Sequence, residues 1–264
     1  MISYNNGIDC DSGNLSVPLL DPGFMRGQVA YEAIRVYEGR FFDFEAHLNR
    51  FLFSIEKLQM PTLKFDLKKV CSELNEKNKH APCLYRIYYT PGIDQKGALY
   101  IFSDPIKAKT SSLEKICTHP TFRNDPLIKS TNYGPALAAL NKVRKKNFDD
   151  VLFIGKENEL LELCFSNFFA IKDNELITPK DDVLPGVTRK HILSIARKVG
   201  LIPICRKIYL KEVATFDEVF HTNTTKEVVP ICQINDTHFL KHQKTLQLHK
   251  AFSSHVNFMP LLPA

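Results

Sequence analysis

Residues 151–179, VLFIGKENELLELCFSNFFAIKDNELITP, constrain the fold of this chain more than any other stretch. Short apolar runs alternate with polar turns at 156–159 and 172–175, a pattern that predicts an antiparallel meander. One carboxylate interrupts it. Period-two alternation sets Leu161 and Leu163 on one face of their strand and Glu162 on the other. A carboxylate inside an apolar strand is unfavourable unless a cation or hydrogen-bond donors meet it.

The first third of the chain reads as mixed α and β. QVAYEAIRVYEGRFFDF has a strand-turn-strand character with Glu38-Gly39 as the turn. Asp43 then suits the cap of a helix carrying Phe44, Leu48, Phe51, Leu52, Ile55 and Leu58 on one face. FDLKKVCSELNEKNK predicts a second helix, and CLYRIYYT, closed by Pro91-Gly92, and ALYIFSDPI predict strands. The polar KAKTSSLEK and the residues up to Pro126 suit a domain boundary. Beyond it, Pro135 fits the first turn of a helix through Leu137, Leu140 and Val143. TRKHILSIARKVG predicts a helix starting at Thr188 and stopping at Gly200, with Ile192, Ile195, Ala196 and Val199 on one face.

With 264 residues, 44% hydrophobic and 24% charged, the chain can bury a sizeable core in one large domain or two modest ones. A net charge of +6 raises nucleic-acid binding, but acids interleave with the bases and no zinc-finger spacing or RNA-binding aromatic signature occurs. Seven scattered cysteines without a CxxC pair read as reduced thiols of a cytosolic protein. The start MISYNNGIDCDSGNLS has no signal-peptide pattern, and no apolar stretch approaches the ~20 residues of a membrane span. A soluble cytoplasmic protein is expected.

Four segments hold residues suited to chemistry. In LIKSTNYGPALAAL, Lys129 stands alone among short apolar and polar residues, a setting that fits a lysine made to lose its proton and attack a carbonyl. Glu162 could pair with a lysine on the next strand, or face the protonated ring nitrogen of a heterocycle. LPGVTRKHIL brings a Pro-Gly loop into a helix start with the Thr188 hydroxyl, which suits a phosphate. HTNTTKEVVP adds the paired hydroxyls of Thr224 and Thr225 in a polar loop. Each has a plain structural explanation alone. Together they match the needs of pyridoxal 5'-phosphate: a Schiff-base lysine, an acid at the pyridine nitrogen and a phosphate cup.

These motifs resemble the fold-type IV pyridoxal-phosphate enzymes, the class IV aminotransferases that include branched-chain and D-amino acid aminotransferases and aminodeoxychorismate lyase. KSTNY resembles the family's Schiff-base segment, making Lys129 the cofactor lysine; LELCFSNFFAI resembles the strand whose acid, here Glu162, contacts the pyridine nitrogen, followed by Ser166-Asn167. LPGVTR resembles the phosphate loop, which carries over Val187 and Thr188. FHTNTTKEVVPI carries over Thr224 and Thr225. In FEAHLNRF the His-Leu-x-Arg pattern carries over Arg50 as a phosphate contact, although periodicity puts Arg50 on the solvated flank of its helix. MRGQVAYEAIRVYEG keeps Arg26-Gly27 and Tyr31-Glu32 but lacks the acid and second glycine frequent in the family; Tyr31 matches a substrate-side aromatic. Pro91 occupies the position of the D-enzymes' carboxylate-binding arginine, whereas Arg86 matches the arginine of the branched-chain enzymes.

The resemblance implies an α+β, two-domain fold-type IV architecture. A small N-terminal α/β domain over 1–117 is expected before a larger β-rich C-terminal domain over 118–264, with the cofactor in the interdomain cleft. It implies transfer of an amino group between an amino acid, branched-chain-like, and a 2-oxo acid, with Lys129 as base and acid. Arg86 would bind the substrate carboxylate, and Tyr31, Tyr88 and Phe165 would favour apolar L-amino acids. The alternative is a lyase releasing pyruvate from 4-amino-4-deoxychorismate, for which Cys164 beside the acid speaks faintly. A homodimer is expected, with no metal, nucleic acid or membrane partner.

Overall fold

A computed structural model describes residues 1–106 and 113–257. They form two units, one holding 1–106 and 128–132 and the other 113–127 and 133–257.

The first unit is built on an antiparallel sheet. Its elements are β1 (Ile2–Asn5), β2 (Ile8–Asp11), α1 (Pro22–Arg26), β3 (Ala30–Tyr37), β4 (Arg40–Phe41), α2 (Phe44–Lys57), α3 (Leu67–Lys77), β5 (Cys83–Thr90) and β6 (Ala98–Pro105). The sheet order is β2-β1-β6-β5-β3-β4. Glu38 and Gly39 take left-handed backbone at the β3–β4 turn, as a tight hairpin requires. The register Tyr31↔Tyr88↔Tyr100 and Ala33↔Arg86↔Phe102 sorts side chains onto two faces. One carries Ile34, Val36, Tyr85, Ile87, Tyr89, Leu99 and Ile101 and packs on Phe44, Phe51 and Ile55 of α2 and Leu67, Cys71 and Leu74 of α3. The opposite face carries Tyr31, Arg86, Tyr88, Phe102 and Asp104.

Asp43 caps α2 by accepting from the Ala46 N–H at 3.3 Å. The helix buries a different stripe from the one its apolar residues predict. Leu52 is exposed, whereas His47, Arg50 and Ser54 are buried beside Phe51 and Ile55. A carboxylate beneath the helix, Glu32, is the physical reason.

The second unit comprises β7 (Glu114–His119), α4 (Gly134–Arg144), β8 (Asp150–Ile154), β9 (Leu160–Leu163), β10 (Asn167–Lys172), β11 (Glu175–Thr178), α5 (Val187–Ile195), β12 (Ile202–Cys205), β13 (Glu218–Asn223), β14 (Glu227–Ile234), β15 (Thr237–His238) and α6 (Gln243–Asn257). The expected meander is present: β8, β9, β10 and β11 pair antiparallel in succession. The sheet runs β12-β11-β10-β13-β14-β7-β8-β9, and β9 also pairs with β10. That last pairing closes six strands, β10, β13, β14, β7, β8 and β9, into a barrel. Ile116, Leu152, Leu163, Phe168, Val219 and Ile231 fill it. On the outside, Ala136, Ala139, Leu140 and Val143 of α4 cover Val151 and Phe153, with Leu137 left exposed. The helix predicted from Thr188 begins one residue earlier, at Val187 with Gly186 as its cap, and its last turn, Ala196–Val199, tightens to a 3-10 helix before Gly200 at φ 75°.

Candidate active site

In the first unit the segment 128–132 lies along the edge of β3. The Tyr31 N–H donates to the Lys129 carbonyl at 2.9 Å, and the Thr131 N–H donates to Val29 at 3.3 Å. From α2, the Ser54 hydroxyl oxygen accepts the Lys129 N–H at 3.0 Å. The lysine backbone is therefore fixed by a strand on one side and a helix on the other, while its side chain is left to be placed by neighbours. Its Nζ stands 5.0 Å from the centre of the Tyr31 ring. A fixed lysine beside an aromatic face is a suitable nucleophile and proton carrier.

Tyr31 opens onto a connected polar chain. Arg86 Nη1 donates to the Tyr31 hydroxyl oxygen at 2.8 Å, and Arg86 Nε donates to Asp104 at 2.5 Å. Because an arginine can only donate, the Tyr31 oxygen is the acceptor and its own hydrogen is directed elsewhere. Tyr88 packs on Tyr31 at 5.0 Å and stacks on Phe102 at 5.8 Å. Burial pushes the Tyr88 phenol up to about 12 and the Tyr31 phenol in the same direction, so both stay neutral.

Behind the strand, on the helix side, Arg50 holds Glu32 with two hydrogen bonds, Nε to Oε2 at 2.9 Å and Nη2 to Oε1 at 2.7 Å. His47 Nδ1 lies 3.1 Å from the same Oε1. Burial would raise the Glu32 carboxyl, but Arg50 and His47 outweigh it and hold it well below the usual carboxylate range. Burial lowers His47, so it is neutral and donates to Glu32 from Nδ1. The arginine expected on a solvated flank is thus buried as half of an ion pair.

In the second unit, Glu162 of β9 starts a row that crosses the outside of the barrel: Glu162↔Asn167↔Thr222. Its Oε2 accepts from the Leu184 N–H at 3.0 Å and from Asn167 Nδ2 at 3.3 Å. Asn167 Nδ2 also donates to the Leu184 carbonyl at 2.9 Å. The cation beside Glu162 is Arg123, 3.3 Å from Oε1, and not a lysine of the next strand. Arg123 also lies over the Tyr133 ring, which packs on Phe165 at 5.1 Å. Phe165 itself is exposed.

The loop after Leu184 leads into α5. Val187 and Thr188 are buried in its first turn, and Gly186 caps it without a side-chain bond. A Cβ on Gly186 would come within 2.0 Å of Asn167 Oδ1, so glycine lets this loop close onto the acid's own partner. Thr224 and Thr225 occupy the turn between β13 and β14, Thr224 half-buried and Thr225 exposed. Asn223 organises that turn by accepting the Lys226 N–H at 2.7 Å and donating to Ser166 at 2.8 Å.

These residues fit pyridoxal 5'-phosphate. The Thr222 hydroxyl, in the same row as Glu162, is buried without a hydrogen-bond partner. An unmet buried hydroxyl costs about 1–3 kcal/mol, which a polar ligand lying on the row would offset. The α5 N-terminus supplies backbone N–H groups of the kind that bind phosphate.

Arg123, Glu32, Asp104 and Thr222 were not singled out in the sequence. Glu32 carried a signal like that of Glu162, a carboxylate between apolar residues in a strand pattern, and its partner was the arginine 18 positions on. Arg123 and Asp104 lie in polar surroundings that gave no such contrast.

The chain is 25% identical to a Methanocaldococcus jannaschii protein provisionally named as a branched-chain-amino-acid aminotransferase, over 88% of this chain and 87% of that one. It is 27% identical to a D-alanine aminotransferase of Listeria monocytogenes, covering 90% of each. An aminodeoxychorismate lyase of Bacillus subtilis is 25% identical over 89% of this chain and 87% of its own. Among solved structures, the branched-chain aminotransferase of the archaeon Thermoproteus uzoniensis with norvaline superposes with a TM-score of 0.88 at 20% identity, covering 97% of this chain and 94% of that one. The amino-transferase class IV family matches residues 29–234, and the chain belongs to that family.

Proposed function

We propose that the protein transfers an amino group between an apolar, branched-chain-like L-amino acid and a 2-oxo acid, using pyridoxal 5'-phosphate. The observation that carries this reading is the fixing of Lys129 by Ser54 and Tyr31, with its Nζ against the Tyr31 ring. When bound, the cofactor supplies a ring that takes up the electron pair released at the substrate's Cα. The chain's own groups do the rest.

Lys129 would hold the cofactor through its amine and would carry the substrate's Cα proton as base and then acid. Glu162 holds a proton on the ring nitrogen, and Asn167, Arg123 and the Leu184 N–H keep that carboxylate in place. Val187, Thr188, Thr224, Thr225 and Arg50 are the proposed phosphate contacts. Arg50 is a suitable donor because Glu32 orients its guanidinium. Tyr31 and Arg86 face the substrate carboxylate, and Tyr88 adds apolar surface for its side chain. The working form is a cytoplasmic homodimer, with residues of the partner subunit completing the substrate pocket.

The lyase reading keeps one support, the similarity to the Bacillus subtilis enzyme. Cys164 adds nothing to it: the thiol is buried against α4 and burial pushes it up to about 12. A screen of the cofactor-loaded protein with L-amino acids and 2-oxo acids tests the proposal. Amine transfer from leucine or valine is expected; pyruvate release from aminodeoxychorismate without amine transfer would replace it with the lyase.

A further inference from the structure

The turn between β13 and β14, which carries Thr224 and Thr225, is tied down at three points within the second unit. Asn223 donates to the Ser166 hydroxyl oxygen, just before β10, at 2.8 Å. Lys226 Nζ donates to Glu114 Oε1 of β7 at 2.6 Å. Glu227 Oε2 lies 3.0 Å from His249 Nε2 of α6. Between these ties the backbone is not relaxed. Glu227 has φ 63°, a left-handed conformation that is unfavourable for a residue with a Cβ and persists only where surrounding contacts enforce it. Glu114 makes the charged tie. Its Oε2 lies 2.9 Å from His221 Nε2, which donates to it, so the carboxylate is fixed inside the barrel while Oε1 meets a half-exposed lysine. His221 and Thr222 are neighbours on β13 and point to opposite faces, so this cluster lies behind the row Glu162↔Asn167↔Thr222 and not in it.

We propose that Glu114 is a positioning residue for the cofactor phosphate: through Lys226 it holds the turn bearing Thr224 and Thr225 in the shape that receives that phosphate. The inference rests on the reading of Thr224 and Thr225 as phosphate contacts. The physical cause is pre-organisation. Hydroxyl and N–H groups that the fold has already ordered lose little freedom when an anion arrives. A loosened turn has to be ordered by the phosphate itself, and affinity for the phosphorylated cofactor falls accordingly. The aldehyde and the ring nitrogen, which belong to Lys129 and Glu162, are indifferent to the turn.

The test takes the full-length protein, freed of cofactor, and titrates it by absorbance with pyridoxal 5'-phosphate and with pyridoxal, which lacks the phosphate. Glu114→Gln and Lys226→Met are expected to weaken pyridoxal 5'-phosphate about tenfold and pyridoxal less than about twofold. Lys226→Arg should retain wild-type affinity. The double variant Glu114→Gln/Lys226→Met should bind no more weakly than the weaker single variant, because both changes cut one tie. Lys226→Met alters a half-exposed side chain, so it reports even if Glu114→Gln folds poorly. Equal weakening of both ligands would make the cluster merely structural, and unchanged pyridoxal 5'-phosphate affinity in Lys226→Met would remove the tie from cofactor binding. Tighter binding by Glu114→Gln would mean that a released Lys226 meets the phosphate itself, which overturns the tether. Thr224→Ala/Thr225→Ala checks the underlying reading: wild-type affinity there would overturn the phosphate contacts and this inference with them.

Discussion

Arg50 grips Glu32 through two hydrogen bonds inside the first unit, and neither side chain is appreciably exposed. Two opposite charges taken out of water together are tolerable because each satisfies the other, and His47 adds a third contact. Removing one partner strands the other. Arg50→Met is expected to destabilise the protein by about 3–5 kcal/mol, read from urea unfolding, and Arg50→Lys by less. The double variant Arg50→Met/Glu32→Gln should recover part of the loss. Equal stability of Arg50→Met and wild type would show that the pair carries no such penalty.

Lys129 is anchored by its backbone and acts through its side chain, so the two contributions separate. Lys129→Ala should unfold at nearly the wild-type denaturant concentration. Borohydride treatment of the cofactor-loaded protein should fix the cofactor to residue 129 in wild type and nowhere in the variant. Peptide mapping that finds the label on a different lysine refutes the assignment.

Glu162→Gln keeps the shape of the side chain and removes its charge. Losing one charge-assisted hydrogen bond of about 1.5–3 kcal/mol predicts a turnover roughly ten- to a hundredfold slower. Arg123→Leu acts through Glu162, so its effect on turnover should largely vanish in the Glu162→Gln background. Additive losses in the double variant would mean that the two residues act separately.

The interior of the barrel carries charge at one end. Glu114 sits 2.9 Å from His221 Nε2 and 2.6 Å from Lys226. Burial pushes the Glu114 carboxyl up, but His221 and Lys226 outweigh it and hold it at about 2. A carboxyl lowered in the folded state contributes stability above its unfolded value of about 4.3, and that contribution is lost as the pH falls toward 2. Nearby Asp150, raised by burial, has the opposite sign: its contribution is present at low pH and is lost as the pH rises through its shifted value. Unfolding free energy measured from pH 6 to pH 2 should therefore fall more steeply in wild type than in Glu114→Gln. Parallel curves would exclude Glu114 as a source of the acid limb.

Much of the local structure was readable because apolar spacing and turn residues act over a few positions. The β3–β4 hairpin, the Asp43 cap and the meander through Glu162 follow from such patterns. What escaped depends on partners far along the chain. β7 lies in a polar-looking stretch and becomes a strand because β14 and β8 flank it on both sides. The barrel also requires β10 beside β13 and β14 beside β7, pairings between distant segments that no local periodicity encodes. Arg50 looked solvated because the carboxylate that buries it belongs to another element. Lys129, Glu162, Thr188 and Thr224 stand out by motif as candidates; Ser54 at the Lys129 backbone, Arg123 at Glu162 and Asn223 in the turn bearing Thr224 emerge only from the three-dimensional contacts.

The strand edge that receives residues 128–132 also bears on how the chain is made. Val29 and Tyr31 find their backbone partners in Thr131 and Lys129, about a hundred positions downstream. A ribosome that has released β1 through β6 has therefore released a sheet with part of one edge still unpaired, the kind of edge that recruits other chains. At common rates of synthesis the wait lasts only seconds. During that interval the nascent protein depends on whatever shields the edge, and a truncation ending near residue 106 would make the exposure permanent.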